Sequence, residues 1–508
     1  MKKSLLVLIA ALCGAMSSGL AAEKPNIIYI LLDDAGYADL SCYGQKKFTT
    51  PNIDRLATEG MKFTDHYSGS TVCAPTRCSL LTGLHTGRTF VRGNREVQPE
   101  GQSPMPADIV TMPRLLADAG YTTGAFGKWG LGAPGSVSDP MEHFDAFYGY
   151  NCQREAHDYY PTHLWKNRER VELNKEVYTH DLIMDEALGF VRENKDNPFF
   201  IYLAVAIPHA AMQVPEPYAK PWREKFPQFE EKIGKYAGTE VNNPIATFAG
   251  MMTLLDDGVG ELLALLDELE IDENTIVMLT SDNGPHQEGG HEPDFFDSNG
   301  PFRGHKRDLS EGGIRTHMLA RWPGKIAPGS MTDLASAHWD VLPTTMDLAG
   351  AETPEDISGI SFLPTLLGEE GQKEHDYLYW EFYERGGKKA ARWGDWKALQ
   401  LNVNKSLESP IEIYDLSQDL GEENDLAASR PDLVERAKEI FAEAHVPSVA
   451  QHVQEAKVVS EHRLVERQKV NRARPFPAPQ VPVGFGLRRI LGVALFRLEG
   501  RPAGPRRV

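Results

Sequence analysis

NIIYILLDD, residues 26–34, is a run of β-branched, aliphatic and aromatic side chains closed by two aspartates. A half-exposed strand would alternate apolar and polar residues. A run apolar at successive positions is instead a strand buried on both faces, as in a mostly parallel sheet covered by helices. Two further runs share the pattern: FFIYLAVAIPH (199–209) ends in Pro208-His209, and TIVMLTSDNG (275–284) ends in Asp282-Asn283-Gly284. Open α/β sheets bind their ligands beyond the carboxyl ends of the strands. The three polar endings are therefore expected to converge on one site.

Helical patterns separate these runs. Leu255, Val259, Leu262, Leu263, Leu266 and Leu269 recur at helical spacing within 248–270, and VTMPRLLADAGYTT (110–123) predicts a short helix closing at Gly120. Alternating strands and helices imply an α/β fold: a large mixed, mostly parallel sheet sandwiched between helices. Composition shifts near 365–375, and beyond it YLYWEFYE, AARWGDWKALQL and IEIYDL predict short strands followed by a terminal helix in PDLVERAKEIFAEAH. These form a small C-terminal α+β subdomain. The expected boundaries are a main domain over 23–370, the subdomain over 371–455 and a tail over 456–508. From Lys457 that tail carries 12 Lys and Arg against 3 Asp and Glu, with much proline and no sustained periodicity, which predicts a poorly ordered extension.

The first 22 residues read as a signal peptide. Lys2 and Lys3 precede an apolar stretch over Leu5 to Leu12, and Gly19-Leu20-Ala21-Ala22 supplies a small-residue cleavage site. Export to the periplasm or the medium is expected, with no membrane attachment after cleavage. A net charge of −19 argues against a nucleic-acid partner. Cys42, Cys73, Cys78 and Cys152 are too few for a disulfide framework in a chain of 508 residues. A Cys73–Cys78 bridge is disfavoured if their segment is helical, because residues five apart point to different faces.

Asp33, Asp34, Asp282 and Asn283 offer only oxygen ligands, which suits a hard divalent cation such as Ca²⁺ better than zinc. Carboxylates brought together repel, and a cation offsets that cost. Arg77, Lys128 in FGKWGLG, His209 and Lys306 in RGHKRDLSEGGIR add the positive groups that would grip a tetrahedral oxyanion. Cys73, followed at fixed offsets by Pro75 and Arg77, is open to several readings on its own: nucleophile, ligand, half of a disulfide or small buried residue.

Cys73-Ala74-Pro75-Thr76-Arg77 resembles the C-x-P-x-R signature of the type I sulfatases, and Ser79-Leu80-Leu81-Thr82-Gly83 resembles its continuation. NIIYILLDDAGYADLSCYG, TPNIDRLATEG, GKWGLG, Pro208-His209, SDNGP, and EGGIR with RWPGKI extend the resemblance over about 25–445, and YDLSQDLGEENDLA is similar to the family's C-terminal subdomain. The resemblance implies an alkaline-phosphatase-like fold and hydrolysis of sulfated carbohydrate or aryl sulfate esters. It implies that a formylglycine-generating enzyme oxidises Cys73 to Cα-formylglycine (3-oxoalanine), with Pro75 and Arg77 in the signal it reads. One hydroxyl of the aldehyde hydrate attacks sulfur and the other provides the release route that a thiol lacks. It further implies one Ca²⁺ held by Asp33, Asp34, Asp282 and Asn283 with residue 73. Arg77 and Lys128 would hold the hydrate, and His209 and Lys306 the sulfate and the leaving oxygen.

Two positions depart from the family pattern. The histidine often found two residues after the motif lysine is Gly130 here, leaving its role to His291, to His305 or to no residue. Thr316-His317 stands where relatives often have Val-Pro, which reads as a packing change. The stretch GYNCQREAHDYYPTHLWKN (149–167) is rich in aromatic, His and Arg residues without periodicity, so it predicts a loop that either meets substrate or packs on itself. Competing functions are a phosphodiesterase or phosphonate monoester hydrolase of the same superfamily, and a non-catalytic binder of sulfated glycans. The first commonly has His where Asn283 stands. The second leaves Cys73, Arg77, Lys128, His209 and Lys306 without a use.

Overall fold

The computed structural model describes residues 24–447, so the expected signal peptide and basic tail lie outside the described residues. Asn26–Leu32 is the central strand of a mixed sheet of 11 strands among these residues, and every residue in it is buried. Parallel neighbours flank it: Phe199–Ala204 on one side and Thr275–Ser281 on the other. Thr122–Lys128 and Ala146–Tyr150 continue the parallel block beyond Phe199–Ala204.

Antiparallel strands cover both flanks. Arg315–Arg321 pairs with Thr275–Ser281, and Met61–Tyr67 pairs with Arg315–Arg321. At the other edge, His163–Lys166 and Glu169–Glu172 form a hairpin on Ala146–Tyr150. HLWK is thus a strand inside the stretch expected to be a loop, because pairing with a sheet edge needs no sequence period of its own.

The central strand explains the two cores. Ile28, Ile30 and Leu32 point into one cluster, with Ile183, Leu255, Leu262 and Leu263 from helices Thr179–Asn194 and Pro244–Glu268. Ile27, Tyr29 and Leu31 point into the other, with Met112, Leu116, Leu342 and Met346 from helices Met112–Asp118 and Val341–Ala349. The sheet is sandwiched as an unbroken apolar run requires. No helix among the described residues is long and apolar enough to cross a membrane.

C-terminal to this sandwich, Leu378–Phe382, Lys388–Trp393, Trp396–Leu401 and Ile411–Asp415 pair in sequence order as an antiparallel sheet. Helix Pro431–Ala444 covers it through Leu433, Ala437, Ile440 and Phe441, which pack with Tyr379, Ala398 and Ile413. The four described cysteines are all free, and Cys73 and Cys78 share helix Cys73–Thr82.

Candidate active site

The polar endings of the three core runs meet at the carboxyl edge of the parallel block. Asp282 Oδ1 accepts the Asp34 N–H at 3.0 Å, Asn283 Nδ2 donates to Asp34 Oδ1 at 2.8 Å, and His209 Nε2 lies 3.3 Å from Asp34 Oδ2. Gly284 lets this edge close: an added Cβ there would come within 1.9 Å of Gly312 O. Asp34 itself has φ of 70°, a left-handed conformation that costs a non-glycine residue energy and recurs at functional sites.

Cys73 opens helix Cys73–Thr82, which is buried at every position and has no side-chain cap at Val72. An anion at residue 73 therefore sits where the helix dipole favours it, with the Ala74 N–H already taken by Asn94 Oδ1 at 3.1 Å. Cys73 Sγ lies 3.4 Å from Asp33 Oδ1 and 3.4 Å from Lys128 Nζ. One turn on, Arg77 donates through Nη2 to Asp33 Oδ2 and Asp282 Oδ2, both at 3.3 Å, and through Nη1 to Lys128 O at 2.6 Å. Lys128 Nζ reaches Asp33 Oδ2 at 2.5 Å. Lys306 Nζ donates to Asp34 Oδ2 at 2.7 Å and to His209 Nε2 at 3.1 Å. The nine residues singled out in the sequence form one connected, buried cluster.

Burial and charge set opposite protonation tendencies within it. Burial raises the Asp33 carboxyl, but Lys128, His209, Arg77 and Lys306 outweigh it and hold Asp33 well below the usual carboxylate range. Asp282 is pushed up to about 7, first by burial and then by Asp33. Burial, then Asp33, keeps the Cys73 thiol well above its ordinary value, so the unmodified residue is a protonated, poor nucleophile. Burial lowers His209, and Lys306 lowers it further. Its Nδ1 donates to Ala210 O, which leaves Nε2 as the acceptor facing Lys306.

The donor set fits a hard cation. Ligand atoms of Asp33, Asp34, Cys73 and His209 lie within 4.8 Å of one another. Asn283 Oδ1 is buried beside them with no hydrogen-bond partner, which is costly unless a cation uses it. Sulfur is the misfit for Ca²⁺, and an oxygen at residue 73 would remove it.

Asp34, His286 and Glu288 also cluster within 4.8 Å. There Lys306 already supplies a cation, 2.7 Å from Asp34 and 3.4 Å from Glu288. His286 is committed to Pro208 O through Nε2 and to the Glu288 N–H through Nδ1. A second metal has no histidine free to bind it there.

His157 comes to the site from the 149–167 stretch. Its ring stacks on His209, with centroids 4.4 Å apart and planes 4° apart, and Tyr236 meets it edge-on at 5.1 Å. By contrast, His291 stacks on Phe248 at 4.0 Å and His305 lies 3.7 Å from Asp294. His317 is buried and bonds Gly36 O at 3.1 Å. The density of aromatic and histidine residues in 149–167 was the one sequence signal for His157. Tyr236, whose ring meets His157 and His209, and Glu288 and Arg307, which pair beside Lys306, had none.

Residues 25–351 match the Sulfatase family model, and 301–443 match the N-sulphoglucosamine sulphohydrolase C-terminal model. Rat N-acetylgalactosamine-6-sulfatase is 33% identical over 72% of this chain and 70% of the relative. Human arylsulfatase A is 31% identical over 84% of this chain and 89% of the relative. Among solved structures, that of Ps i-CgsB superposes with a TM-score of 0.73 at 28% identity, covering 86% of this chain and 98% of the other; the same protein has been crystallised with k-i-k-neocarrahexaose. The architecture is the alkaline-phosphatase-like one expected.

Proposed function

The chain belongs to the sulfatase family, whose members are sulfuric ester hydrolases, and on that premise we propose that Cys73, matured to formylglycine, cleaves sulfate esters of carbohydrates beside one Ca²⁺. One observation carries the reading: Cys73 Sγ stands at a buried helix N-terminus, 3.4 Å from both Asp33 and Lys128. When present, the aldehyde hydrate supplies a nucleophile with its own release route, and the metal lowers that hydroxyl's pKa and polarises sulfate. Asp33, Asp34, Asp282 and Asn283 would hold the metal.

Arg77 and Lys128 keep positive charge against residue 73, and Arg77 also locks the two metal-side carboxylates in place. Lys306 Nζ and His209 Nε2, 3.1 Å apart, share a proton at the side from which the alcohol leaves. Its delivery to the leaving oxygen avoids a free alkoxide. Asp33, Asp34 and Asp282 face Arg77, Lys128 and Lys306, so acids and bases are matched in number, and the metal's added charge is best met by an anionic substrate. The commitment of His286 and the placement of Lys306 favour this one-metal reading over a phosphodiesterase.

The names of the relatives make 6-sulfated amino sugars the first substrates to try. The N-terminal pattern supports export to the periplasm or medium, with oxidation of Cys73 by a formylglycine-generating enzyme preceding folding. The test is mass spectrometry of the tryptic peptide spanning Cys73, from protein purified out of its native host. A loss of about 18 Da relative to the thiol form is the change that the covalent route requires. Thiol or disulfide alone would leave a sulfated-glycan binder as the better reading.

A further inference from the structure

Beside the catalytic cluster lies a second ionic pair that the steps above do not use. Glu288 Oε1 meets Arg307 Nη1 at 2.6 Å, while Glu288 Oε2 lies 3.4 Å from Lys306 Nζ. Both Glu288 and Arg307 are partly open, at 19% and 18% side-chain exposure, whereas Lys306 is buried. Among the described residues Arg307's guanidinium has no ion-pair partner except Glu288. Its remaining N–H groups are therefore unspent on other carboxylates.

The pair is held rigidly. Arg307 has φ of 79°, a left-handed conformation unusual for a long side chain, and its N–H is tied to Thr71 O at 3.0 Å, two residues before Cys73. Glu288 is tied through its own N–H to His286. The loop ends at Gly289 and Gly290, both with positive φ. Gly234 packs so closely there that an added Cβ would come within 1.9 Å of Gly289 O. That contact seats the hairpin of Ile233–Tyr236 and Thr239–Asn242 against the Glu288 loop, and Tyr236 lies edge-on to both His157 and His209, at 5.1 and 5.5 Å.

We propose that Glu288 and Arg307 form a hydroxyl-reading pair that recognises a carbohydrate by a free ring hydroxyl near its sulfate ester, with His157 and Tyr236 as the facing aromatic wall. The proposal rests on the sulfatase reading and adds to it which residues choose the alcohol. The leaving oxygen faces Lys306, and Glu288 is the next acceptor along. A ring hydroxyl near the ester, O4 or O3 of a 6-sulfate, donates to Glu288 and accepts from Arg307, the two-sided contact that a sugar offers and an aryl ring does not. Because the pair is an ion pair, it presents no net charge. A neutral hydroxyl, which both donates and accepts, fits it, whereas a second sulfate or carboxylate at that position can only accept and leaves Glu288 without a donor.

The experiment uses matured enzyme and measures kcat/KM on 6-sulfates of galactose, N-acetylgalactosamine and N-acetylglucosamine, on the 3-deoxy and 4-deoxy analogues of the best of them, and on 4-nitrophenyl sulfate. Loss of a read hydroxyl should cost the wild type about ten- to a hundredfold, the size of a charged hydrogen bond. In Arg307→Ala the parent sugar should fall by a similar factor, and the deoxy analogue should lose little more. Arg307→Lys and Glu288→Gln should retain part of the preference. Wild type indifferent to each deoxy change, or Arg307→Ala lowering every substrate in the same proportion, overturns the proposal and leaves the sulfatase reading standing. Cleavage of 4-nitrophenyl sulfate without any sugar sulfate overturns it as well. Formylglycine-bearing enzyme inactive on all of these esters would sink the sulfatase reading itself and this proposal with it.

Discussion

Lys397 Nζ lies 2.6 Å from Glu311 Oε1, both side chains fully buried, and this ion pair fastens the C-terminal sheet to the short helix that follows Lys306. Glu311 also accepts from the Tyr67 hydroxyl at 2.6 Å and from Arg315 Nη1 at 3.2 Å. Lys397→Met fills the same volume but removes the only ammonium on Glu311 among the described residues. Breaking one side of a buried pair costs about 3–5 kcal/mol; Arg315 and Tyr67 remain, so about 3 kcal/mol is expected. Denaturant unfolding of the variant measures it. A midpoint equal to wild type would mean that the pair contributes nothing to holding the two parts together.

Glu422 lies on the other side of the same lysine. Its Oε2 accepts the Glu311 N–H at 2.8 Å, and its nearer charge contact, Lys397 Nζ, is 3.7 Å away. Burial first, with Glu311's charge added and Lys397 opposing, pushes Glu422 up from 4.5 to about 7. The unfolded chain therefore releases this proton before the folded one does. Between about pH 4.5 and 7 the folded state binds more protons, so this group's contribution to stability falls as pH rises, by up to about 1.4 kcal/mol per unit. Above about pH 7 it is flat. Glu422→Gln mimics the protonated form and should flatten that stretch of the stability–pH curve. An unchanged slope in the variant would refute the assignment.

Calcium should register in stability as well as in turnover. Asp282, pushed up to about 7 first by burial and then by Asp33, is partly protonated near neutral pH without a cation, so Asp282→Asn should unfold near the temperature of the calcium-free wild type. Calcium at about a hundred times its Kd adds about 2.7 kcal/mol to the folded state. Wild type should gain that stabilisation after chelator removal, and Asp282→Asn should gain little of it. Thermal melts with chelator and with added calcium decide the matter. Equal gains in both proteins would remove Asp282 from the metal.

Most of the candidate cluster was legible because its residues sit at fixed offsets from strong local signals. Asp33, His209 and Asp282 each follow an apolar run that can only be a doubly buried strand, and parallel pairing brings such ends together. Cys73 and Arg77 are one helical turn apart. The antiparallel strands Met61–Tyr67 and Arg315–Arg321 were less visible, since MKFTDHY neither alternates cleanly nor runs apolar; it is a strand because Arg315–Arg321 pairs with it. His157, Tyr236, Glu288 and Arg307 come from loops and a hairpin. Their positions are set by contacts such as Gly234 on Gly289, between residues 55 apart. Nothing local encodes that kind of proximity.

The proposed division of labour between His209 and Lys306 predicts a leaving-group effect. With Nδ1 committed to Ala210 O, His209 presents Nε2 to Lys306 at 3.1 Å, so a proton can pass between them toward the departing oxygen. A sugar alkoxide is a poor leaving group and needs that proton in the transition state. The 4-nitrophenolate ion is stable without it. Removing a general acid costs typically about 10²–10⁴-fold where protonation matters. His209→Ala should therefore lose about that much kcat on a 6-sulfated sugar, and about tenfold or less on 4-nitrophenyl sulfate. Losses equal on both substrates would make His209 a sulfate-binding group and leave Lys306 as the acid on its own.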